Sequence, residues 1–310
     1  MSDLSYGIIG TGAIGGFYGG ILADAGQEVH FLLHSDYDYV RKNGLTIDSK
    51  VFGVKKITEN FYSSVQQMPQ CDIIMVGLKT VQNALIKNLI QPLLKEDSLV
   101  ILIQNGLGME EDLQQQLPDV EIAGGVAYIA VSKFSAGVIT HQQLGNLVLG
   151  MFDENTDSTM LKQVIEDFNQ TQKIKCTHKS LSEARWEKLV WNVPFNGLSV
   201  ILNAQTNVMI SDKNLKELAR QMMEEIVEGA GKCGVQLPKE TVAQTLALTE
   251  GMDAYSPSMK LDFENHRPME IKYMYEKPVE IALRFGVHMS KVEMLAKLLH
   301  FVEDRESGLK

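Results

Sequence analysis

Five polar residues recur along an otherwise apolar stretch: Lys188, Asn192, Asn196, Ser199 and Asn203. Steps of three and four residues place them within about 80° of one another on a helix. The rest of 185–203 is apolar on nearly every side, as in a helix buried all round. A lysine and three asparagines in such a helix are expensive unless something satisfies them. Neighbouring backbone commonly satisfies one such residue; five on one stripe point instead to a face lining a cleft. Asparagine carboxamides can grip hydroxyl, carbonyl and carboxylate groups. A lysine can stabilise a developing alkoxide and give it a proton. Pro194 removes one helical hydrogen bond and is expected to bend the helix there.

A second constellation lies near the start. Gly10-Thr11-Gly12-Ala13-Ile14-Gly15 follows a buried strand-like run and opens a helical pattern. In that context the glycines have separate physical roles. Gly10 permits a tight turn, Gly12 lets backbone approach a pyrophosphate, and Gly15 lets the helix pack on the strand. The helix N-terminus then offers free N–H groups to the anion. A dinucleotide cofactor is expected. The next strand ends Leu32-Leu33-His34-Ser35, with no acid at the position that would bind a ribose diol, although Asp36 is close behind. His34, Ser35 and Arg41 could receive a 2′-phosphate, so NADP(H) is favoured over NAD(H). Lys79 and Asn105 each follow a strand-like run, where side chains are aimed at a bound cofactor. With a nicotinamide cofactor, the lysine–asparagine stripe suggests reduction of a ketone, and no zinc-ligand cluster is present to polarise the carbonyl instead.

The elements that must position these residues fall into two halves. Up to about residue 178, short apolar runs alternate with helical patterns, which implies right-handed βαβ units and a parallel sheet. Residues 121–151 look like several short strands with glycines at their ends, extending that sheet in antiparallel fashion. After 178, strand signals vanish. Stretches 182–202, 215–233, 239–250, 269–285 and 291–306 read as helices. The fold class expected is α/β: a Rossmann-type doubly wound sheet over 1–178, then an all-α domain over 179–310. Ser258 and Glu270 read from local pattern alone as a helix cap and a first-turn acid.

The 310 residues carry a formal net charge of −10, which argues against a general nucleic-acid binder. Three scattered cysteines lack metal or disulfide spacing and fit a reducing cytoplasm. Apolar runs are interrupted well before the ~20 residues needed to span a bilayer. The N-terminus lacks the basic region of a signal peptide. A second copy of the chain, as a homodimer, is the one macromolecular partner left open.

Six segments together resemble the ketopantoate reductase family over essentially the whole length. They are GTGAIG at 10–15, GLKTVQ at 77–82, QNGLG at 104–108, WEKLVWNVPFNGLS at 186–199, SPSM at 256–259 and RPMEI at 267–271. The resemblance implies NADPH-dependent reduction of 2-dehydropantoate to (R)-pantoate in pantothenate and coenzyme A synthesis. It implies a helical second domain like that of 6-phosphogluconate dehydrogenase. It makes Lys188 the proton donor and Asn105, Asn192, Asn196, Asn203 and Ser258 substrate contacts. It places Gly10, Thr11, Gly12, Ala13, Ile14, Gly15, His34, Lys79, Asn105, Ala130 and Glu270 at the cofactor. His34 is a departure, since family members often carry arginine there. Rival readings are a related 2-oxo acid reductase or a β-hydroxyacid dehydrogenase, and, from another class, an NADPH-sensing regulator without turnover.

Overall fold

Residues Ser5–Ile9 are buried at every position, the pattern of a strand covered on both faces in a parallel sheet. In the computed structural model, which describes residues 2–306 and 308, this strand is β1 and lies inside a large mixed sheet. The first half runs β1 (Ser5–Ile9), α1 (Ala13–Asp24), β2 (Glu28–Leu32), α2 (Tyr37–Asn43), β3 (Leu45–Ser49), β4 (Gly53–Ile57) and β5 (Phe61–Tyr62). It continues β6 (Cys71–Val76), α3 (Ile86–Ile90), β7 (Leu94–Leu102), α4 (Met109–Gln114), β8 (Glu121–Ser135), β9 (Val138–Met151), α5 (Thr159–Gln170) and β10 (Cys176–His178).

The strand order is β4-β3-β9-β8-β7-β6-β1-β2-β5, with β10 paired on β9. β1 pairs in parallel with β2 on one side and β6 on the other. The chain therefore changes direction of travel across the sheet between β1 and β6, the switch point beside which doubly wound folds bind ligands. Helix α1 lies close on the sheet through its glycines: a Cβ on Gly16 would come within 2.4 Å of Ile139.

The glycine-rich stretch 121–151 departs from the expected several short strands. It forms two long strands, β8 and β9, paired antiparallel with three register shifts. Gly124, Gly125, Gly145 and Gly150 lie inside the strands, and only Gly137 sits in the turn, at φ +66°. Glycine here marks bulges and close approaches as well as strand ends. Elements α2, β3, β4 and β5 fill the stretch between β2 and β6, whose alternation is too weak to read from sequence.

The second half is helical: α6 (Leu181–Ile201), α7 (Thr206–Ser211), α8 (Lys213–Lys232), α9 (Thr241–Glu250) and α10 (Ser258–Glu264). A π-helical turn, Lys272–Glu276, then leads into α11 (Lys277–Arg284), and α12 (Ser290–Glu306) follows. Its core gathers Trp186, Phe195, Met222, Met223, Tyr275 and Leu299. The chain divides into two compact units, Met1–Gln104 with Met109–Leu181, and Asn105–Gly108 with Ser182–Lys310. The division thus falls a few residues past the expected 178, and the loop after β7 goes with the helices. No helix among the described residues is long and apolar enough to cross a membrane.

Candidate active site

In the sheet unit, Gly10 sits at φ +87°, where an L side chain is strained, and a Cβ there would lie 2.6 Å from the Leu78 nitrogen. A Cβ on Gly15 would lie 2.4 Å from the Gly10 carbonyl oxygen. Both glycines are demanded by the protein itself, where β1, α1 and the end of β6 converge. Gly12 is different. Its φ of −80° is open to any residue. A Cβ on it would meet nothing nearer than the Gly10 oxygen, at 4.0 Å. Nothing in the protein requires glycine at position 12; the close approach of a bound group would. Gly12 is the N-cap of α1 and offers no side-chain cap, so Ala13 and Ile14 open the helix without a side-chain oxygen over them. This cradle fits the pyrophosphate of a dinucleotide.

Thr11 pins the turn to the end of β2, its hydroxyl donating to the Leu32 carbonyl at 2.7 Å. His34 is exposed just beyond that strand. Asp36 faces inward instead. Its Oδ2 pairs with Lys133 Nζ at 2.7 Å and accepts the Gly137 N–H at 3.0 Å. Lys133 Nζ also donates to the Thr11 carbonyl at 2.6 Å. Lys79, half-buried, is the N-cap residue of a 3-10 turn, Thr80–Leu85, that follows β6. Gln104 braces that turn, donating to the Leu78 carbonyl and to Asn83 Oδ1, each at 2.8 Å. Ala130 lies on β8 between two register shifts, opposite Gln143. Bulges of this kind re-aim backbone groups next to active sites.

The helical unit holds the lysine–asparagine residues. Lys188, Asn192, Asn196 and Ser199 all lie on α6. The Lys188 ammonium is pulled down to about 7, first by burial and then by the Arg185 charge one turn earlier. Asn192 is 6 % exposed. Its carboxamide makes no hydrogen bond among the described residues, yet its polar atoms are not sealed from solvent. The next turn is spent differently from the expected cleft lining. Asn196 Nδ2 donates to the Asn192 carbonyl at 3.0 Å, and Ser199 Oγ donates to the Asn196 carbonyl at 2.7 Å. Asn196 Oδ1 accepts the Met259 N–H at 3.1 Å and the Ser258 hydroxyl at 3.4 Å. It thereby caps α10, whose own N-cap is Pro257.

Asn203 is not part of the helical stripe. Helix α6 stops at Ile201, and Asn203 lies beyond it, exposed, at φ +48°. The Asn203 N–H reaches the Val200 carbonyl at 3.2 Å, and the Ala204 N–H reaches the Ser199 carbonyl at 3.2 Å. This is a Schellman termination with asparagine in the left-handed position. The Asn203 Oδ1 accepts from Lys260 Nζ at 2.5 Å, and Lys260, itself buried, also pairs with Glu264 at 2.8 Å.

Pro194 does not end α6, which runs through it. The Tyr275 hydroxyl donates to the Val193 carbonyl at 3.0 Å, beside the proline. Gly197 is the residue this requires, since a Cβ there would lie 2.8 Å from the Tyr275 oxygen. Burial holds the tyrosine well above its ordinary pKa, so it stays protonated. Tyr275 belongs to the π-helical turn that follows buried Glu270. The helix expected over 269–285 starts at Ile271, and Arg267 before it pairs with Asp262 at 3.0 Å.

Asn105 is half-buried in the same unit, in the loop whose Leu107 N–H reaches the Tyr273 carbonyl at 2.9 Å. Gly106 lies at φ +107°, and a Cβ on it would come within 2.4 Å of the Tyr273 oxygen. Lys133, Arg185, Lys260 and Tyr275 are the residues that sequence reasoning does not single out. Only Arg185 has a local signal, a charge three residues before Lys188 in an apolar helix.

Comparison with known proteins gives a consistent answer. The family described as "Ketopantoate reductase PanE/ApbA" matches residues 6–154, and "Ketopantoate reductase PanE/ApbA C terminal" matches 180–303. A 2-dehydropantoate 2-reductase from Nostoc is 38% identical, covering 98% of this chain and 97% of its own. The solved structure of a 2-dehydropantoate 2-reductase from Geobacter metallireducens superposes with a TM-score of 0.92 at 35% identity, covering 96% of this chain and 99% of the other. A D-mandelate dehydrogenase solved with NADH and anilino(oxo)acetate shares the fold, with a TM-score of 0.86 at 20% identity, covering 98% and 100% of the two chains. The chain belongs to the ketopantoate reductase family, matched in its sheet and in its helices alike.

Proposed function

We propose that this chain reduces 2-dehydropantoate to (R)-pantoate at the expense of NADPH. The observation that carries the reading is the Lys188 ammonium, held at about 7 on a buried helix one turn from the Asn192 carboxamide. A donor of that pKa is matched to proton transfer near neutrality. Reduced nicotinamide, when bound, supplies a hydride to the ketone carbon. Lys188 steadies the oxygen as the C=O bond becomes C–O⁻ and gives it the proton that completes the hydroxyl. Asn192, Asn105 and the free Nδ2 side of Asn203 orient the carboxylate and hydroxyl groups. Asn196 and Ser258 act from behind, fixing α10 against α6, with Ser258 near the substrate. Glu270 completes the surroundings. In the sheet unit, Gly12 and the first turn of α1 take the pyrophosphate, with Lys79, His34 and the backbone at Ala130 along the nucleotide. The enzyme works in a reducing cytoplasm, where Cys71, Cys176 and Cys233 remain free thiols.

The test follows NADPH absorbance with 2-dehydropantoate and compares Lys188→Ala. Turnover is expected to fall by about 10² to 10⁴ while the NADPH dissociation constant holds. Wild-type turnover in the variant would refute the role of Lys188. Nucleotide binding with no consumption by the wild type would favour a sensor. Faster turnover on β-hydroxyacids would favour a dehydrogenase.

A further inference from the structure

The acidic residue closest behind β2 is Asp36, and in a dinucleotide fold an acid in this neighbourhood is the group that binds the ribose 2′-hydroxyl of NAD(H). Here that carboxylate is occupied. Lys133 Nζ pairs with Asp36 Oδ2 at 2.7 Å, and the side chains are only 14% and 12% exposed. The same ammonium donates to the Thr11 carbonyl at 2.6 Å, inside the glycine turn, and Thr11 in turn is tied to Leu32 at the end of β2. The Gly137 N–H gives Asp36 Oδ2 a second donor at 3.0 Å. Turn, strand end, acid and lysine thus form one connected set within the sheet unit, on the adenosine-ribose side of the motif.

We propose that Lys133 is a specificity-determining residue that masks Asp36 and so selects the phosphorylated dinucleotide. The inference rests on the dinucleotide-binding reading of the glycine turn. Two physical effects act together. The ion pair and the Gly137 N–H turn the carboxylate away from a ribose diol. The lysine charge also cancels a negative charge that would repel a 2′-phosphate. A buried acid that loses its cationic partner becomes a strongly unfavourable neighbour for a phosphate dianion. Lys133 reaches this place from β8, far from the glycine turn in sequence, and the long β8–β9 hairpin is what carries it there.

The experiment measures dissociation constants for NADPH and NADH by nucleotide fluorescence, without turnover, in the full-length protein. Four forms are compared: wild type, Lys133→Met, Asp36→Asn and the double variant. The wild type is expected to prefer NADPH. Lys133→Met should weaken NADPH by about tenfold or more, with NADH changed far less or bound more tightly. Asp36→Asn should keep or strengthen the preference for NADPH, because the lysine charge is then released. The double variant should return the NADPH/NADH ratio to within about threefold of wild type, since no unpaired carboxylate remains. A purely structural role would move both nucleotides by one factor, and that result would overturn the proposal. So would a double variant that keeps the Lys133→Met ratio, or a wild type that prefers NADH while still binding both. If Lys133→Met fails to fold, Asp36→Asn and the double variant decide the matter by the same ratios. A wild type that binds neither nucleotide would instead remove the dinucleotide reading, and with it this proposal.

Discussion

Lys188 owes its proton affinity to two neighbours of different kinds. Burial disfavours its charge, and the Arg185 guanidinium one turn earlier adds like-charge repulsion. The rate of reduction at low substrate should therefore be high below about pH 7 and fall above it, as the amine loses the proton it must give. Arg185→Met removes the repulsion, so that falling limb should move to higher pH; an unmoved limb would show that burial alone sets it. Gly12→Val tests the other half. A Cβ there meets nothing nearer than 4.0 Å, so thermal stability should hold while nucleotide affinity drops at least about tenfold. These residues were legible because type and spacing alone define them. Asn203 was only half legible. Its step along the helix was right, but helix termination is decided by whether a residue takes the left-handed conformation, which spacing does not encode.

Helix α6 is held by groups distant in sequence. The Tyr275 hydroxyl donates to the Val193 carbonyl beside Pro194, and the Asn196 side chain reaches out to cap α10. Tyr275→Phe keeps the ring and strips the hydrogen bond to the Val193 carbonyl. The expected cost is about 1–3 kcal/mol of stability for buried groups left unmet, read as a lower thermal midpoint. Turnover should fall as well, because Val193 lies between Lys188 and Asn196 on α6. A midpoint equal to wild type would mean that the hydroxyl's bond adds nothing to stability. Nothing local in the sequence announces Tyr275: it is one of several aromatic and Met residues in a helical run, and its target lies 82 residues away. The β8–β9 hairpin is hidden from the sequence for a related reason. Glycine reads as a strand end, whereas Gly124 and Gly150 pair with each other inside the ladder. The strand–helix alternation that builds the parallel part was legible because its period changes cleanly from two to 3.6.

Over the whole molecule, the ionisable groups set opposing pH slopes. Burial raises Asp24, but its Lys173 and Lys55 partners outweigh this and hold it below its ordinary value. Asp72 is lowered in the same way, burial being overcome by Lys95 and Ser5. Their stabilising effect is present above the ordinary carboxylate range and is lost as pH falls through the depressed values. Lys188 acts in the reverse sense. With a folded value of about 7 against an ordinary 10.5, its charge costs stability in full below 7, and the cost shrinks as pH rises between the two. Lys188→Met should accordingly raise the thermal midpoint more near pH 6 than near pH 9. Equal gains at both would show that the lysine keeps its ordinary affinity for protons. A last consequence comes from the loop Asn105–Gly108, which is threaded between β7 and α4 yet packs with the helices. Severing the gene after Leu181 would not yield two self-sufficient polypeptides. The C-terminal fragment would be deprived of the tetrapeptide that shields the Tyr273 carbonyl, and should melt below the parent even though its helices lose only Leu181.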